Sequence, residues 1–168
     1  MPDDPNGPAA SGLAADADEQ AWYWWWLTPK RLAVAVLIAF LAIQLIPVWL
    51  LETNPATRAD PAWDSVRTAS LVHRACYDCH SNATTWPWYS RVAPVSWLTV
   101  YDVVSARNRL NFSQFTSKGP YPGAASDAAE AISSGDMPPS YYLWMHPTAS
   151  LNATEKTQLI AGLIKSLP

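Results

Sequence analysis

The segment Cys76-Tyr77-Asp78-Cys79-His80 has the spacing Cys-x-x-Cys-His. This spacing is the attachment signature of a c-type haem, because each cysteine can bond one vinyl group and the next histidine can ligate the iron. Cys76 and Cys79 are the only cysteines of the chain, so neither has another cysteine as a disulfide partner. The segment therefore predicts one covalently bound haem c, attached through Cys76 and Cys79 and ligated by His80.

Three other interpretations of the paired cysteines are less well supported. A thioredoxin-like redox dithiol uses the same spacing but occurs near a βαβ pattern, which this sequence does not show. The spacing could also occur by chance and have no function. A structural zinc site takes four Cys or His ligands, and two cysteines with three scattered histidines do not supply them. The spacing favours the haem.

Length and composition limit the fold classes and functions that fit this chain. The 168 residues suggest one domain, and few strand patterns together with 15 prolines indicate short helices joined by loops, so we expect an all-α fold. The 11 basic and 14 acidic residues give a net charge of −3 and no basic patch, so no nucleic acid partner is predicted. No set of catalytic acid, base and nucleophile is apparent, so an enzyme is not expected.

The first 51 residues divide into three parts. Residues 1–21 form a Pro- and Ala-rich tail with five acidic residues, and residues 22–31 form a tryptophan-rich segment. Residues 32–51 carry no charge, and twenty helical residues at 1.5 Å each span about 30 Å of hydrocarbon. Because the hydrophobic part of a cleaved signal is usually about 7–15 residues long, this length predicts an uncleaved signal anchor, a single N-terminal transmembrane helix in contact with membrane lipid.

The orientation follows from the flanking charges. Lys30 and Arg31 directly precede the span, which predicts a cytoplasmic N-terminus and a periplasmic haem domain at a bacterial inner membrane. The aromatic run Trp22–Trp26 then falls at the cytoplasmic interface. It is interpreted either as an aromatic belt or as a docking surface for another membrane subunit.

The rest of the chain is expected to comprise a linker, residues 52–62, and a helical haem domain, residues 63–168. Helices are predicted at 64–75, 94–110 and 126–134, the last of these ending at Gly135. A final helix is predicted from Asn152, because Glu155 three residues later makes a capping-box start. Residues 117–123 are predicted as a loop.

The sixth position on the iron has several candidates. Met137 lies in Gly135-Asp136-Met137-Pro138-Pro139, where two prolines stiffen an extended loop that suits a thioether held against a haem face. His146 precedes Pro147, which also biases its backbone towards an extended form. Met145, His73 and an open site are the remaining alternatives, and Met and His are both used in this position. Met137 is the first choice and His146 the alternative.

Several motifs together carry a resemblance to a known family. They are Cys76 to Asn82, Trp86-Pro87-Trp88-Tyr89-Ser90, Ala93-Pro94-Val95-Ser96-Trp97, Leu110-Asn111-Phe112-Ser113, Gly135 to Pro139, Tyr142, His146-Pro147, Leu151, Glu155 and Lys156. Over about residues 63–168 the chain resembles the haem-binding domain family of single-haem c-type cytochromes. The resemblance implies a compact, cytochrome c-like helical domain with covalent haem. It implies Cys76, Cys79 and His80 as attachment and proximal ligand, and it raises Met137 as the distal ligand.

We therefore expect a membrane-anchored cytochrome that carries single electrons between membrane redox complexes. A respiratory or photosynthetic complex is the expected redox partner or host. Two other classes stay open: a structural or interaction subunit with an accessory haem, and a haem-based sensor with an open sixth site.

Overall fold

The computed structural model describes residues 28–115 and 121–167. Within these ranges the chain is helical and contains no β-strand, which confirms the predicted all-α fold. The chain divides into two compact units, residues 1–46 and 47–168. The predicted acidic tail, the Trp22–Trp26 run and most of the predicted loop 117–123 lie outside the described residues.

The first unit contains helix α1, Pro29–Ile43. Its N-cap is Thr28, and no residue of α1 is buried. Together with the residues that follow, it forms an apolar segment, Pro29–Leu51, that is long enough to cross a membrane. This segment begins three residues before the predicted span and ends at the same residue.

Helix α1 ends because of a proline four residues further on. Pro47 has no N–H to donate to the carbonyl of Ile43, and it disfavours helical backbone in the residue before it. The last turn tightens instead, so that the N–H of Ile46 donates to the carbonyl of Ile43 at 3.3 Å. A short 3₁₀ helix, Val48–Leu51, follows and belongs to the second unit.

The second unit contains six α-helices within its described residues. They are α2 (Val66–Ala75), α3 (Tyr77–His80), α4 (Val95–Arg109), α5 (Ala124–Ser134), α6 (Ser140–Met145) and α7 (Ala153–Ser166), with 3₁₀ helices at Trp88–Arg91 and Pro147–Ala149. Helix α7 packs against α2 and α5, while α3 packs against α2 and α4. The short helix α3 therefore lies between α2 and α4, and α2 connects it to α7.

The four predicted helices of this unit are α2, α4, α5 and α7, with ends that differ by one or two residues. Helix α7 begins with the predicted capping box, in which Asn152 and Glu155 each accept a backbone N–H from the other. Helix α5 ends at Gly135, whose φ of 87° is the left-handed conformation that favours glycine at this position. Helix α6 was not predicted, because six residues are too few to show a helical period.

One hydrophobic core joins these helices. Phe112 and Leu159 are fully buried in it, and a Cβ atom added to Gly162 of α7 would collide with the side chain of Thr68 in α2. This glycine therefore permits the close approach of the two helices. The core residues are Leu71, Val72, Tyr77, Leu110, Phe112, Ile132, Leu151, Leu159, Leu163 and Leu167.

Residues 52–62, predicted as a linker, are bonded to the helical domain at several points. The guanidinium of Arg107 in α4 donates to the carbonyl of Thr53 at 2.6 Å and to the side chain of Asn54 at 3.0 Å. The same group donates to the carbonyl of Ser81 and to the hydroxyl of Thr84, both at 2.7 Å. One side chain thus holds the start of this segment against the residues that follow α3.

The later part of the segment is held by buried amides. Asn82 donates to the carbonyl of Ala56 at 3.1 Å and accepts from Asn111 at 2.8 Å. The backbone N–H of Arg58 donates to the carbonyl of Ser113 at 2.9 Å. Buried polar groups of this kind are costly to leave unpaired, so the segment contributes to the domain's stability.

The Arg107 contacts predict a specific destabilisation. Replacing Arg107 by Ala leaves acceptors on both segments without their donor, and we expect the unfolding free energy to fall by about 2–4 kcal/mol. Thermal unfolding of the full chain in detergent measures this, and trypsin cleavage after Arg58 should become faster. The matched control is Arg109→Ala, an exposed position at the end of the same helix, expected to change stability by less than about 0.5 kcal/mol. Equal protease sensitivity of the two variants would contradict the role of Arg107.

Candidate functional site

The Cys-x-x-Cys-His motif occupies a single turn. Cys76 lies between α2 and α3, and its carbonyl accepts the N–H of Cys79 at 3.2 Å and that of His80 at 2.8 Å. Residues three and four apart on a helical turn lie on the same side of it. The turn thus brings the three predicted attachment and ligand residues together at one end of α3.

The ring of His80 is held by a backbone carbonyl. Its Nδ1 lies 2.9 Å from the carbonyl oxygen of Leu110. A carbonyl can only accept, so Nδ1 carries the proton and the lone pair of the neutral ring is on Nε2. Burial lowers the pKa of His80, with the carbonyls of Leu110 and Ala106 acting in the opposite direction. A neutral imidazole with an exposed lone pair on one nitrogen is the form that ligates a metal.

Both thiols are held in the neutral form. Burial raises the pKa of Cys76 to about 12, and the neighbouring Cys79 adds to this effect. Burial also raises the pKa of Cys79 to about 12, assisted by the carboxylates of Asp102 and Asp78 and opposed by Arg107. A catalytic dithiol needs a lowered pKa, so this environment disfavours the redox-dithiol interpretation.

The described residues also contain no cluster of three or more His, Cys, Asp or Glu side chains that could hold a metal ion. A structural zinc ion takes four such ligands. Within the described part of the chain, the zinc interpretation of Cys76 and Cys79 therefore lacks the partners that it requires.

One side of α4 faces the motif. Val95, Leu98, Asp102 and Ala106 recur at intervals of three and four residues, which places them along one side of the helix. The carboxylate of Asp102 acts electrostatically on Cys79, and the backbone carbonyl of Ala106 acts on His80, so α4 passes close to the motif with Asp102 towards Cys79. Val95 and Leu98, further along the same side, are exposed apolar side chains. Such a wall suits a flat, largely apolar group attached at the cysteines.

A cluster of aromatic rings connects α6, and the residue that follows it, to the motif. The hydroxyl of Tyr142 donates to the carboxylate of Asp78, inside the motif, at 2.9 Å. The ring of His146 stacks on Tyr142 with centroids 4.3 Å apart, and a hydrogen bond of 2.6 Å joins its Nε2 to the hydroxyl of Tyr89. His146 therefore lies near the motif, with Nε2 engaged by a tyrosine.

The other candidates for the sixth ligand lie elsewhere. Met137 is 39% exposed in the loop between α5 and α6, and its backbone N–H donates to the carbonyl of Ala131 at 3.0 Å. Met145 ends α6 and is exposed, while His73 of α2 stacks on Tyr77 with centroids 3.7 Å apart. The hydrogen bonds and ring contacts of the described residues link His146 to the motif and give Met137 no such link. The sixth ligand stays a prediction.

Sequence reasoning missed several residues that shape this site. Leu110 acts through its backbone carbonyl, which no side-chain pattern reveals. Asp78 occupies a variable position of the motif, and only the fold shows that it meets Tyr142. Arg107 had a usable signal, since it is a charged residue three positions before a predicted helix end, but nothing in the sequence identified its acceptors.

The raised pKa values predict unreactive thiols. In the haem-free chain at pH 8, a pKa near 12 leaves roughly one thiol in 10⁴ ionised, against about one in four for an unperturbed cysteine. Alkylation by iodoacetamide should therefore be slow between pH 7 and 9 and fast after urea unfolding, as followed by mass spectrometry. Circular dichroism provides the control that the chain is folded. Fast alkylation of a folded chain would rule out this protonation state.

Comparison with known proteins identifies the family. The model of the haem-binding domain family matches residues 38–165. The match begins inside the apolar segment and includes residues 52–62, so it extends further towards the N-terminus than the motifs at residues 63–168 indicated. Searches of the curated proteins and of the solved structures gave no match. Because the family model covers most of the chain, the protein belongs to the haem-binding domain family.

Proposed function

We propose that this haem-binding protein is a membrane-anchored, single-haem c-type cytochrome that carries electrons on the periplasmic side of a bacterial inner membrane. The observation that carries the proposal is the arrangement of Cys76, Cys79 and His80 on one turn, with Nδ1 of His80 bonded to a backbone carbonyl. Haem supplies an iron that gains and loses one electron. The chain supplies attachment, one axial ligand and a largely apolar surrounding.

His80 is suited to hold the iron from one side. The hydrogen bond to Leu110 fixes the tautomer and the ring orientation, so that Nε2 is the ligating atom. Its backbone is fixed as well, because its carbonyl accepts the N–H of Phe112, a fully buried core residue, at 2.8 Å. A ligand anchored at both ring and backbone needs little rearrangement when the charge of the iron changes.

Cys76 and Cys79 are suited to form thioethers. A thioether is neutral, and the buried surroundings that raise the pKa of both thiols favour neutral sulfur. Each sulfur would hold one vinyl-derived carbon of the haem, the S–H bond and the vinyl π bond being exchanged for a C–S bond and a C–H bond. The exposed side chains of Val95 and Leu98 would supply apolar surface to the bound group.

The anchor and the cellular location are part of the same proposal. The apolar segment Pro29–Leu51 can cross a membrane, and the basic residues before it favour a cytoplasmic N-terminus. Covalent haem attachment takes place on the outer side in bacteria, which agrees with this orientation. We propose that the partners are membrane complexes, respiratory or photosynthetic, because the anchor confines the carrier to the plane of the membrane.

Covalent attachment is tested by denaturation. The wild-type chain should keep its haem in acidified organic solvent and in a denaturing gel, and its mass should increase by one haem. Cys76→Ala combined with Cys79→Ala should abolish both signals, while either single variant should keep one thioether and change the absorption of the pyridine complex. If the haem of the wild-type chain is extracted freely, the c-type assignment is wrong.

The sixth ligand is tested by paired variants. Met137→Ala should abolish the weak near-infrared band of sulfur-to-iron ligation, lower the reduction potential and allow carbon monoxide to bind. Met145→Ala is the matched control and should change none of these. His146→Ala should keep the band and lose stability on the order of 1 kcal/mol, because it removes the Tyr89 and Tyr142 contacts.

The opposite pattern would identify His146 as the ligand. In that case Met137→Ala would leave the spectrum unchanged and His146→Ala would produce a five-coordinate iron. Ready binding of carbon monoxide to the wild-type protein would instead support a haem-based sensor with an open sixth position.

A further inference from the structure

The residues just after the first unit form an apolar surface of the haem domain. Pro47 is the first residue of the second unit, and the 3₁₀ helix Val48–Leu51 belongs to that unit. Trp49, Leu50 and Leu51 are each more than half exposed. Three large apolar side chains thus face outward on a part of the haem domain.

A second tryptophan extends this surface. The 3₁₀ helix Val48–Leu51 packs against α4 and against the 3₁₀ helix Trp88–Arg91, and Trp88 is 74% exposed. We call Trp49, Leu50, Leu51 and Trp88 the apolar face. Its margin carries an ion pair of 3.4 Å between Arg91 and Glu52.

The end of the apolar segment is followed by residues bonded within the domain. The apolar segment runs to Leu51, and Arg107 binds the carbonyl of Thr53 and the side chain of Asn54. The last apolar residue is thus followed within two residues by a part of the chain that α4 holds in place.

We propose that the apolar face rests in the interfacial layer of the lipid bilayer, so that the haem domain is seated on the membrane in a fixed orientation. This inference rests on the proposed anchor. Lipid is the favoured occupant because three of the four residues of the face lie within the apolar segment itself. Tryptophan is the residue that favours the headgroup boundary, and the ion pair at the margin suits the polar side of that boundary.

Lipid contact can be mapped with the unmodified holoprotein. The full chain is placed in phosphatidylcholine and phosphatidylglycerol nanodiscs that contain a lipid with a diazirine on its acyl chain near the glycerol, and adducts are located by mass spectrometry. Residues 49–51 and Trp88 should form adducts. Trp144, which is 82% exposed on α6, is the internal comparison and should form none.

Hydroxyl-radical footprinting supplies the complementary measurement. Trp88 should be oxidised at least five times more slowly than Trp144 in nanodiscs, although both are largely exposed in the protein itself. Equal oxidation of the two residues, together with an absence of lipid adducts at Trp88, would overturn the proposal and leave the face as a site for a protein partner.

Orientation is tested by linear dichroism of the haem in oriented bilayers. A seated domain holds its haem at one angle to the membrane normal and gives a clear dichroism. Trp88→Glu should reduce this signal at least threefold, because a carboxylate is poorly accommodated at the interface, whereas the matched variant Trp144→Glu should keep it. An isotropic wild-type haem would contradict the fixed orientation.

Failure of the anchor would be recognised separately. Without an anchor, residues 32–46 would form no lipid adducts and the chain would not enter the nanodiscs. With an anchor but no seating, residues 32–46 would form adducts and Trp88 would not.

Discussion

Two hydrogen bonds between His80 and residues 110–112 are the constraint on which the site depends. The ring Nδ1 donates to the carbonyl of Leu110, and the N–H of Phe112 donates to the carbonyl of His80. Phe112 and Leu110 belong to the hydrophobic core, so His80 is connected to buried residues of the domain. The position of α3 between α2 and α4 follows from the same connection, because α4 ends at Arg109, just before this segment.

Charged and polar side chains surround the Cys-x-x-Cys-His motif. Carboxylates, tyrosines and a guanidinium lie close to Cys79, and burial dominates the effect on both thiols. Burial and the carboxylate of Asp78 raise the pKa of Tyr142, so its hydroxyl stays protonated and continues to donate to that carboxylate. This bond joins the segment after the Met137 loop to the motif helix.

Sequence reasoning succeeded where the signal is local. The capping box at Asn152 and the glycine that ends α5 each depend on residues within a few positions of one another. The Cys-x-x-Cys-His spacing is equally local, and the haem that it predicted agrees with the family match, while the attachment residues stay a prediction. It gave no signal for α6, which is too short to show a period, or for the hydrogen bonds of residues 52–62, which involve a side chain about fifty residues away. The role of Arg107 is a long-range property, since its acceptors come from two separate segments of the chain.

The bonding of residues 52–62 also bears on how far the domain can travel. A flexible chain of eleven residues would have an end-to-end distance of about 18 Å, and a group attached to its end could move over a distance of that size. A segment held by Arg107 and Asn82 provides no such reach. The electron carrier proposed above would therefore gain no reach from residues 52–62, and its redox partner would have to approach the domain itself.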